Sequence, residues 1–146
     1  MNYDDAANLT ERFEGYRNKI YLDSLGNITG GIGHHFSVGS HLPVSVVRAL
    51  FYMDFSRAIS DYHTICEAHQ LRLDSVRRAV ILDMVFNLGL TKALKFKKML
   101  KCLQKKDYEG AAREMMDSRW SKQVKGRAVE LAEMMRTGNH DMRRVR

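Results

Sequence analysis

Two carboxylates and a threonine lie close together near the start of the chain. Glu14, Asp23 and Thr29 belong to the stretch EGYRNKIYLDSLGNITGGIGH, which covers residues 14–34. Two carboxylates on either side of a glycosidic bond can hydrolyse it, because one protonates the leaving oxygen while the other acts from the opposite face of the sugar. A threonine hydroxyl nearby could hold the attacking water. We therefore take these three residues as candidate catalytic groups.

Each of the three also has an ordinary structural interpretation. Glu14 falls in the last turn of a predicted helix, where the macrodipole disfavours a carboxylate, yet it could be a solvated surface side chain beside Gly15. Asp23 could simply form a turn through its side-chain hydrogen bonds, and threonine is common in strands. A residue that breaks a local rule without an evident gain is a candidate for function, which favours the catalytic interpretation of Glu14.

The elements that must position these residues can be predicted from the pattern. Apolar residues at helical spacing predict a first helix over about Tyr3–Phe13, with Gly15 at its C-terminal end. Residues 16–35 contain β-branched and aromatic segments around the turn DSLGN, which predicts a hairpin or small sheet. A helix followed by a hairpin that folds back can bring Glu14 and Asp23 to one cleft.

The remainder of the chain is helical in pattern. Pro43 suits the first turn of a long helix over about 43–65, and Asp74 is a good N-cap for a helix that ends at Gly89. Three more amphipathic helices are predicted at about 91–104, 108–118 and 125–136.

The predicted fold class is α+β, in a single domain of residues 1–146 with two lobes. A small β-hairpin lobe covers about 14–42, and the helix at about 43–65 connects it to a larger helical lobe. That larger lobe comprises about 1–13 and 66–146. The long helix contains no breaker, so it could join the two lobes directly.

Composition excludes several classes of protein. Hydrophobic residues make up 45% and charged residues 28% of the 146, which is typical of a globular chain with a real core. No apolar run approaches the roughly 20 residues of a membrane span, and the acidic N-terminus does not resemble a secretory signal, which predicts synthesis in the cytoplasm. Cys66 and Cys102 fall in apolar helical patterns without metal-ligand spacing, so we expect buried free thiols.

Charge is distributed unevenly along the chain. Residues 1–89 carry 8 Lys and Arg against 10 Asp and Glu, a net charge of −2, whereas residues 90–146 carry 16 against 7, a net charge of +9. This asymmetry predicts a polyanionic partner, which could be nucleic acid, an anionic membrane surface or a cell-wall polymer. A solvated lysine face is the plainer interpretation. A basic nucleic-acid-binding module remains an alternative to an enzyme, although the chain has no recognisable motif for DNA or RNA recognition.

Several blocks of the sequence resemble one family. The spacing E-x8-D-x5-T formed by Glu14, Asp23 and Thr29 resembles the signature of the phage-type lysozymes of glycoside hydrolase family 24. The blocks DSVRRAVILDMVFNLG and DSRWSKQVKGRA, followed by MRTG, are similar to later parts of that family in the same order. The resemblance implies a lysozyme-like fold and a muramidase that cuts the β-1,4 bond between N-acetylmuramic acid and N-acetylglucosamine in peptidoglycan.

The resemblance also implies a role for each residue of the motif. Glu14 would be the general acid, while Asp23 and Thr29 would position and activate the water, with inversion at the anomeric carbon. An inactive, wall-binding relative is a further alternative that the intact set of three residues disfavours.

Substrate-binding roles are implied for four more residues: His35, Phe86, Asn87 and Arg127. Arg127 would reach towards the catalytic glutamate, and Phe86 could equally belong to the core. The sequence departs from the family enzyme it resembles in having Gly30 in place of isoleucine after the threonine. It also has Met99 and Glu114 at groove positions that are small and polar there, and a shorter segment after His34.

No metal or cofactor is expected. His34 and His35 are neighbours on a predicted strand and therefore point to opposite faces, and hydrolysis by two carboxylates needs neither. The implied partners are a peptidoglycan glycan strand and, for release from the host cytoplasm, a membrane-permeabilising holin. We expect a monomer that makes no stable membrane insertion and binds no specific nucleic acid. Its expected role is that of an endolysin, which reaches the cell wall after permeabilisation and lyses the host.

Overall fold

The computed structural model describes residues 2–140 and has an α+β fold. Within that range the chain forms eight helices and one three-stranded antiparallel sheet. The predicted fold class is therefore confirmed. The chain divides into two compact units, Met1–Val46 and Val47–Arg146.

The first unit begins with helix α1, Tyr3–Glu14, whose ends are both capped. The Asn2 side chain accepts a hydrogen bond from Asp5 N, and the Asp5 side chain accepts one from Asn2 N, which makes a capping box. At the other end Gly15 adopts φ +75° and its N–H donates to Glu11 O. The predicted helix is confirmed and extends one residue further, so that Glu14 is its last residue.

A small sheet follows α1, as the change of sequence period predicted. Its strands are β1 (Arg17–Leu22), β2 (Ile28–Gly31) and β3 (His34–His35), paired antiparallel in the order β1-β2-β3. Thr29 on β2 lies opposite Tyr21 on β1 and opposite His35 on β3, so these three residues form one cross-strand row. The row places the candidate threonine at the centre of the sheet.

Gly30 fits a site in which neighbours already occupy the space of a side chain. A methyl group on its Cα would lie 2.8 Å from Ile20 Cδ1 and 3.2 Å from Phe36 Cε2. The volume that isoleucine would need is thus filled by side chains from β1 and from the residue after β3. The side chains of Ile20 and Phe36 thus pack where residue 30 has no side chain of its own.

The second unit is helical, and its first helix begins three residues before the boundary at Val47. Helix α2 covers Val44–His69 and runs four residues beyond the predicted end, while α3 covers Ser75–Leu88. The predicted N-cap of α3 is confirmed, since Asp74 accepts hydrogen bonds from Val76 N and Arg77 N. The remaining helices are α4 (Leu90–Ala93), α5 (Lys97–Gln104), α6 (Tyr108–Met116), α7 (Arg119–Val124) and α8 (Gly126–Thr137).

The core of the second unit is built mainly by α3, α5, α6 and α8. Fully buried side chains from these helices include Val80, Ile81, Met84, Leu100, Met115 and Met135. Burying a side chain of this size contributes about 1.5–3 kcal/mol relative to leaving it exposed, so this cluster supplies most of the unit's driving force for folding.

Two helix predictions were wrong in detail. The predicted helix at 91–104 is broken into α4 and α5 by a tight turn in which Lys95 N donates to Lys92 O and Phe96 N to Ala93 O. The break lets the Phe96 ring meet the edge of Trp120, with ring centres 6.1 Å apart. Helix α7, which carries the buried Trp120, was not predicted at all.

The two cysteines are free, but they are only partly buried, so the expectation of buried thiols was wrong. Burial and the nearby Asp107 carboxylate raise the pKa of Cys102 above its ordinary value. Over residues 2–140, no helix combines the length and the apolar character needed to cross a bilayer.

Candidate active site

Glu14 occupies the junction between α1 and the sheet. It is the last residue of the helix, and its exposed side chain turns back over the β2–β3 turn, where its carboxyl group packs against the Cα of Gly33. Gly15 makes this junction sharp because its positive φ ends the helix at once. The helix end and the second turn of the sheet together set where the Glu14 carboxyl group lies.

Asp23 organises the turn between β1 and β2. Its Oδ1 accepts hydrogen bonds from Leu25 N at 2.9 Å and from Asn27 N at 2.8 Å, while Oδ2 accepts one from Asn27 Nδ2 at 3.1 Å. The hydrogen bond from the Asn27 backbone is the main reason that the pKa of Asp23 lies below its ordinary value. The carboxyl group is therefore ionised at neutral pH.

His35 lies next to Asp23, and Thr29 lies opposite His35 in the sheet. His35 Nε2 is 3.4 Å from Asp23 Oδ2, an attractive contact whenever the imidazole is protonated. Thr29 is only 2% exposed, and its hydroxyl donates to Asn27 O at 3.0 Å. Because its hydrogen is used in this way, the hydroxyl oxygen can only accept a hydrogen bond from a water or a sugar.

The other predicted substrate-binding residues lie in the second unit, Phe86 and Asn87 at the end of α3 and Arg127 at the start of α8. Phe86 is 39% exposed and contacts Phe51 and Phe55, with ring centres 5.9 and 6.3 Å apart. Asn87 Oδ1 accepts a hydrogen bond from Trp120 Nε1 at 2.9 Å. Asn87 thus provides the hydrogen-bond acceptor for the buried Trp120 indole N–H. The amide nitrogen of Asn87 remains a potential donor to a ligand. A cavity of about 190 Å³ lies beside Phe86.

The structure pairs Arg127 with Asp83, a residue that the sequence analysis did not single out. Arg127 Nε donates to Asp83 Oδ2 at 2.7 Å and Nη2 donates to Oδ1 at 2.9 Å, so the pair is bidentate. These hydrogen bonds raise the pKa of Arg127 above its ordinary value. Asp83 lies one turn before Phe86 and Asn87 on α3, so its pair with Arg127 joins α8 to that end of α3.

A signal for Asp83 was present in the sequence. It is the charged residue within the apolar run AVILDMVF, and a carboxylate in such a run needs a partner or a function. The sequence alone does not say which of the many cations supplies that partner, and for this reason the pair with Arg127 was not foreseen.

Met99 and Glu114, the two departures from the family at groove positions, lie at one pocket of about 620 Å³. Met99 is buried, whereas Glu114 is half-buried. The pocket is lined by more cations than anions, with Lys92, Lys95, Lys97, Lys98 and Arg119 against Glu114 and Asp117.

Metal-ligating side chains do not cluster in the part of the chain that the structure describes. In residues 2–140, no group of three or more His, Cys, Asp or Glu side chains is arranged to hold a metal ion.

Comparison with known proteins gives a consistent result. Residues 11–137 match the phage lysozyme family. The chain is 28% identical to probable T4-type lysozyme 1 of Dictyostelium discoideum, over 86% of this chain and 89% of that protein. It is 30% identical to probable T4-type lysozyme 2 of the same organism, over 84% of this chain and 75% of that protein.

A third relative is the pre-baseplate central spike protein Gp5 of Enterobacteria phage T4. The identity is 28% over 91% of this chain, but the match covers only 28% of Gp5. The family match spans most of the chain, including the acids of the first unit and the helices of the second. The chain therefore belongs to the phage lysozyme family, and it is a glycoside hydrolase of the muramidase type that acts on peptidoglycan.

Proposed function

We propose that this lysozyme is an endolysin that hydrolyses the β-1,4 bond between N-acetylmuramic acid and N-acetylglucosamine, with Glu14 and Asp23 as its two carboxyl groups. The observation that carries the proposal is the environment of Asp23. Its carboxylate is hydrogen-bonded, ionised at neutral pH and 3.4 Å from His35, which lies opposite Thr29 in the sheet, while the second acid packs at the next turn of the same sheet. Glycosidases need one carboxyl group that is protonated and one that is ionised.

Glu14 acts as the general acid in this mechanism. As the bond between the anomeric carbon and the glycosidic oxygen breaks, the electron pair stays with that oxygen and the Glu14 proton is transferred to it. A water molecule attacks the anomeric carbon from the opposite face as Asp23 accepts a proton from it, and this attack inverts the configuration at that carbon. The product is a reducing sugar and a free hydroxyl on the leaving sugar.

Asp23 orients and activates the water and stabilises the positive charge that develops on the sugar. Because the pKa of Asp23 lies below its ordinary value, the carboxylate is charged near neutral pH and can stabilise that developing charge electrostatically. Thr29 helps to position the water by accepting a hydrogen bond, since its own hydrogen is used by Asn27.

Four side chains are proposed to bind the saccharide. His35 and Asn87 each keep a group that can hydrogen-bond a sugar hydroxyl, and Phe86 offers a partly exposed ring. Arg127 uses two of its donors on Asp83 and retains others for the substrate. The pair with Asp83 fixes the orientation of the guanidinium and so prepares it for binding.

Host lysis is the proposed biological role. In this role the enzyme is a monomer made in the host cytoplasm, and it reaches the cell wall after a holin has permeabilised the membrane. Expression in a bacterial host with and without a holin tests this role. Lysis should depend on the holin, whereas holin-independent lysis at the same rate would contradict it.

The match to Gp5 supports a second candidate role. Gp5 is named as a baseplate spike protein, and a lysozyme of that kind would act from the virus particle and not from the infected cell. Proteomic analysis of purified particles separates the two roles. An endolysin should be absent from the particles and abundant in the lysate, and the reverse result would favour a particle-borne enzyme.

Clearing of purified cell walls tests the catalytic assignment. Wild-type protein should clear a turbid suspension, and Glu14→Gln should lower the rate by roughly 10²–10⁴-fold because the general acid is lost. Glu11→Gln on the same helix is the matched control, since Glu11 is also exposed and should leave the rate unchanged. Wild-type clearing by Glu14→Gln would contradict the proposal.

A further inference from the structure

We propose that Gly33 is a positioning residue for the catalytic acid, because its missing side chain leaves the space into which the Glu14 carboxyl group packs. The inference rests on the proposed role of Glu14. It concerns a residue at the β2–β3 turn to which the proposed mechanism assigns no part.

The contact between the two residues is close. A methyl group on the Gly33 Cα would lie 2.5 Å from Glu14 Oε2, 2.8 Å from Cδ and 3.1 Å from Cγ. All three distances are shorter than ordinary van der Waals contact, so any L side chain at residue 33 would occupy the present place of the carboxyl group. Only glycine is compatible with the observed position of Glu14.

The Glu14 carboxyl group is held in place by steric contact with Gly33. Among residues 2–140, none makes a hydrogen bond or ion pair with the exposed Glu14 side chain. A glutamate with no such partner has three freely rotating bonds, which is poor preparation for a directed proton transfer. Packing against the flat surface of a glycine limits that rotation on one side.

Gly33 also has a conformational reason to be glycine, and the two reasons must be separated. Its φ is +68°, a region that L side chains seldom adopt. Gly31, two residues earlier at the same turn, has φ +63°, but a methyl group there would meet no atom within 4 Å. Gly31→Ala therefore introduces the backbone strain alone, whereas Gly33→Ala introduces the strain together with the collision with Glu14.

The collision of an alanine at residue 33 with Glu14 should reduce catalytic activity more than it reduces folding stability. Glu14 is an exposed and flexible side chain, so it can rotate away from an alanine at residue 33 at little cost to folding. The rotation moves the acid from its working position, and a displacement of about 1 Å can lower a rate by about 10²-fold. The two alanine variants should thus have similar stability and different activity.

The experiment compares Gly33→Ala, Gly31→Ala and wild type for melting temperature and for kcat and KM on peptidoglycan. Gly33→Ala should lose about 10²-fold in kcat relative to Gly31→Ala, with similar KM and a similar melting temperature. Equal kcat in the two variants would overturn the inference. A large rise in KM confined to Gly33→Ala would also overturn it, because it would make Gly33 a substrate contact.

Two further arms make the outcome decisive. If either alanine variant fails to fold, Gly31→Asn and Gly33→Asn replace the pair, since asparagine tolerates positive φ better than other side chains. In the Glu14→Gln background, adding Gly33→Ala should leave binding to intact cell walls unchanged, and reduced binding would contradict a role that acts only through Glu14.

The Glu14→Gln variant alone separates this inference from the proposed function. Wild-type activity in Glu14→Gln would refute the proposed function itself. An inactive Glu14→Gln together with equal kcat for the two glycine variants would refute only the role of Gly33.

Discussion

At the residue scale, Asp23 shows that a structural and a catalytic role can coincide. Its carboxylate accepts hydrogen bonds from Leu25 N and Asn27 N and thereby closes the turn between β1 and β2. The same hydrogen bonds lower its pKa. The fold therefore keeps the Asp23 carboxylate charged, as the proposed mechanism requires. The turn-forming and the catalytic interpretations of this residue are therefore compatible.

The pH dependence of activity follows from these hydrogen bonds. The folded-state pKa of Asp23 lies below its ordinary value, so the stability and the charge that Asp23 contributes are present near neutral pH and are lost as pH falls through that pKa. Asn27→Ala removes the side-chain donor to Oδ2 but keeps the backbone donor. The acid limb of kcat/KM should consequently move to higher pH.

The matched control for that measurement is His35→Gln. The His35 charge is the smallest of the influences that lower the pKa of Asp23, so this variant should move the acid limb less than Asn27→Ala does. An acid limb that stays in place in Asn27→Ala would show that Asp23 does not control activity in this pH range.

Individual functional residues could be predicted from the sequence only where they broke a local rule or matched a known spacing. Glu14 was visible because a carboxylate at a helix C-terminus is electrostatically misplaced, and the register Thr29↔His35 follows once the strands are known. The pairing of Arg127 with Asp83 and the contact of Glu14 with Gly33 depend on three-dimensional packing. Neither contact produces a pattern of residue spacing that could be recognised in the sequence.

At the element scale, caps decided which helix boundaries could be predicted. Helices α1 and α3 end at Gly15 and Gly89, both with positive φ, and α3 starts at the N-cap Asp74. The break between α4 and α5 has neither a glycine nor a proline to mark it. The break accompanies the packing of Phe96 on Trp120. This contact is long-range, so the spacing of apolar residues along the helix does not predict it.

Arg77 connects three elements of the second unit. Its Nε donates to Met135 O at 2.7 Å and its Nη2 to Arg136 O at 3.2 Å, which satisfies carbonyls at the C-terminal end of α8. The guanidinium lies 3.4 Å over the ring of Tyr108 on α6 and pairs with Asp74 at the start of α3. The side chain is only 12% exposed, so these interactions are largely shielded from water.

Arg77→Ala should therefore destabilise the protein by about 2–4 kcal/mol, the combined value of a charged hydrogen bond and a partly buried cation–π contact. Urea unfolding measures the loss. Arg72→Ala is the matched control, because Arg72 is exposed and its removal should change the free energy of unfolding by less than about 0.5 kcal/mol. Equal effects of the two variants would contradict the role assigned to Arg77.

At the scale of the whole molecule, the net charge of +9 in residues 90–146 should govern attraction to the anionic cell wall. Raising the salt concentration from about 0.01 to 0.15 M shortens the screening length from roughly 30 to 8 Å. Binding of the Glu14→Gln variant to intact walls, measured by co-sedimentation, should weaken steeply over this range. Salt-independent binding would contradict an electrostatic origin.

Two triple variants separate overall charge from the lysine-lined pocket. Lys92, Lys95 and Lys98 line the pocket of about 620 Å³, whereas Lys101, Lys105 and Lys106 do not. Replacing either set with glutamine removes the same charge. If net charge governs attraction, both variants should weaken binding equally. A loss confined to the first set would instead identify the pocket as a binding site.

The most direct test of the central claim is mass spectrometry of the products released from purified peptidoglycan in ¹⁸O-labelled water. A muramidase in which Glu14 protonates the leaving oxygen and water attacks should give reducing N-acetylmuramic acid ends that each carry one ¹⁸O atom, and Glu14→Gln should give almost none. Anhydro-muramic ends, or reducing N-acetylglucosamine ends, would contradict the account.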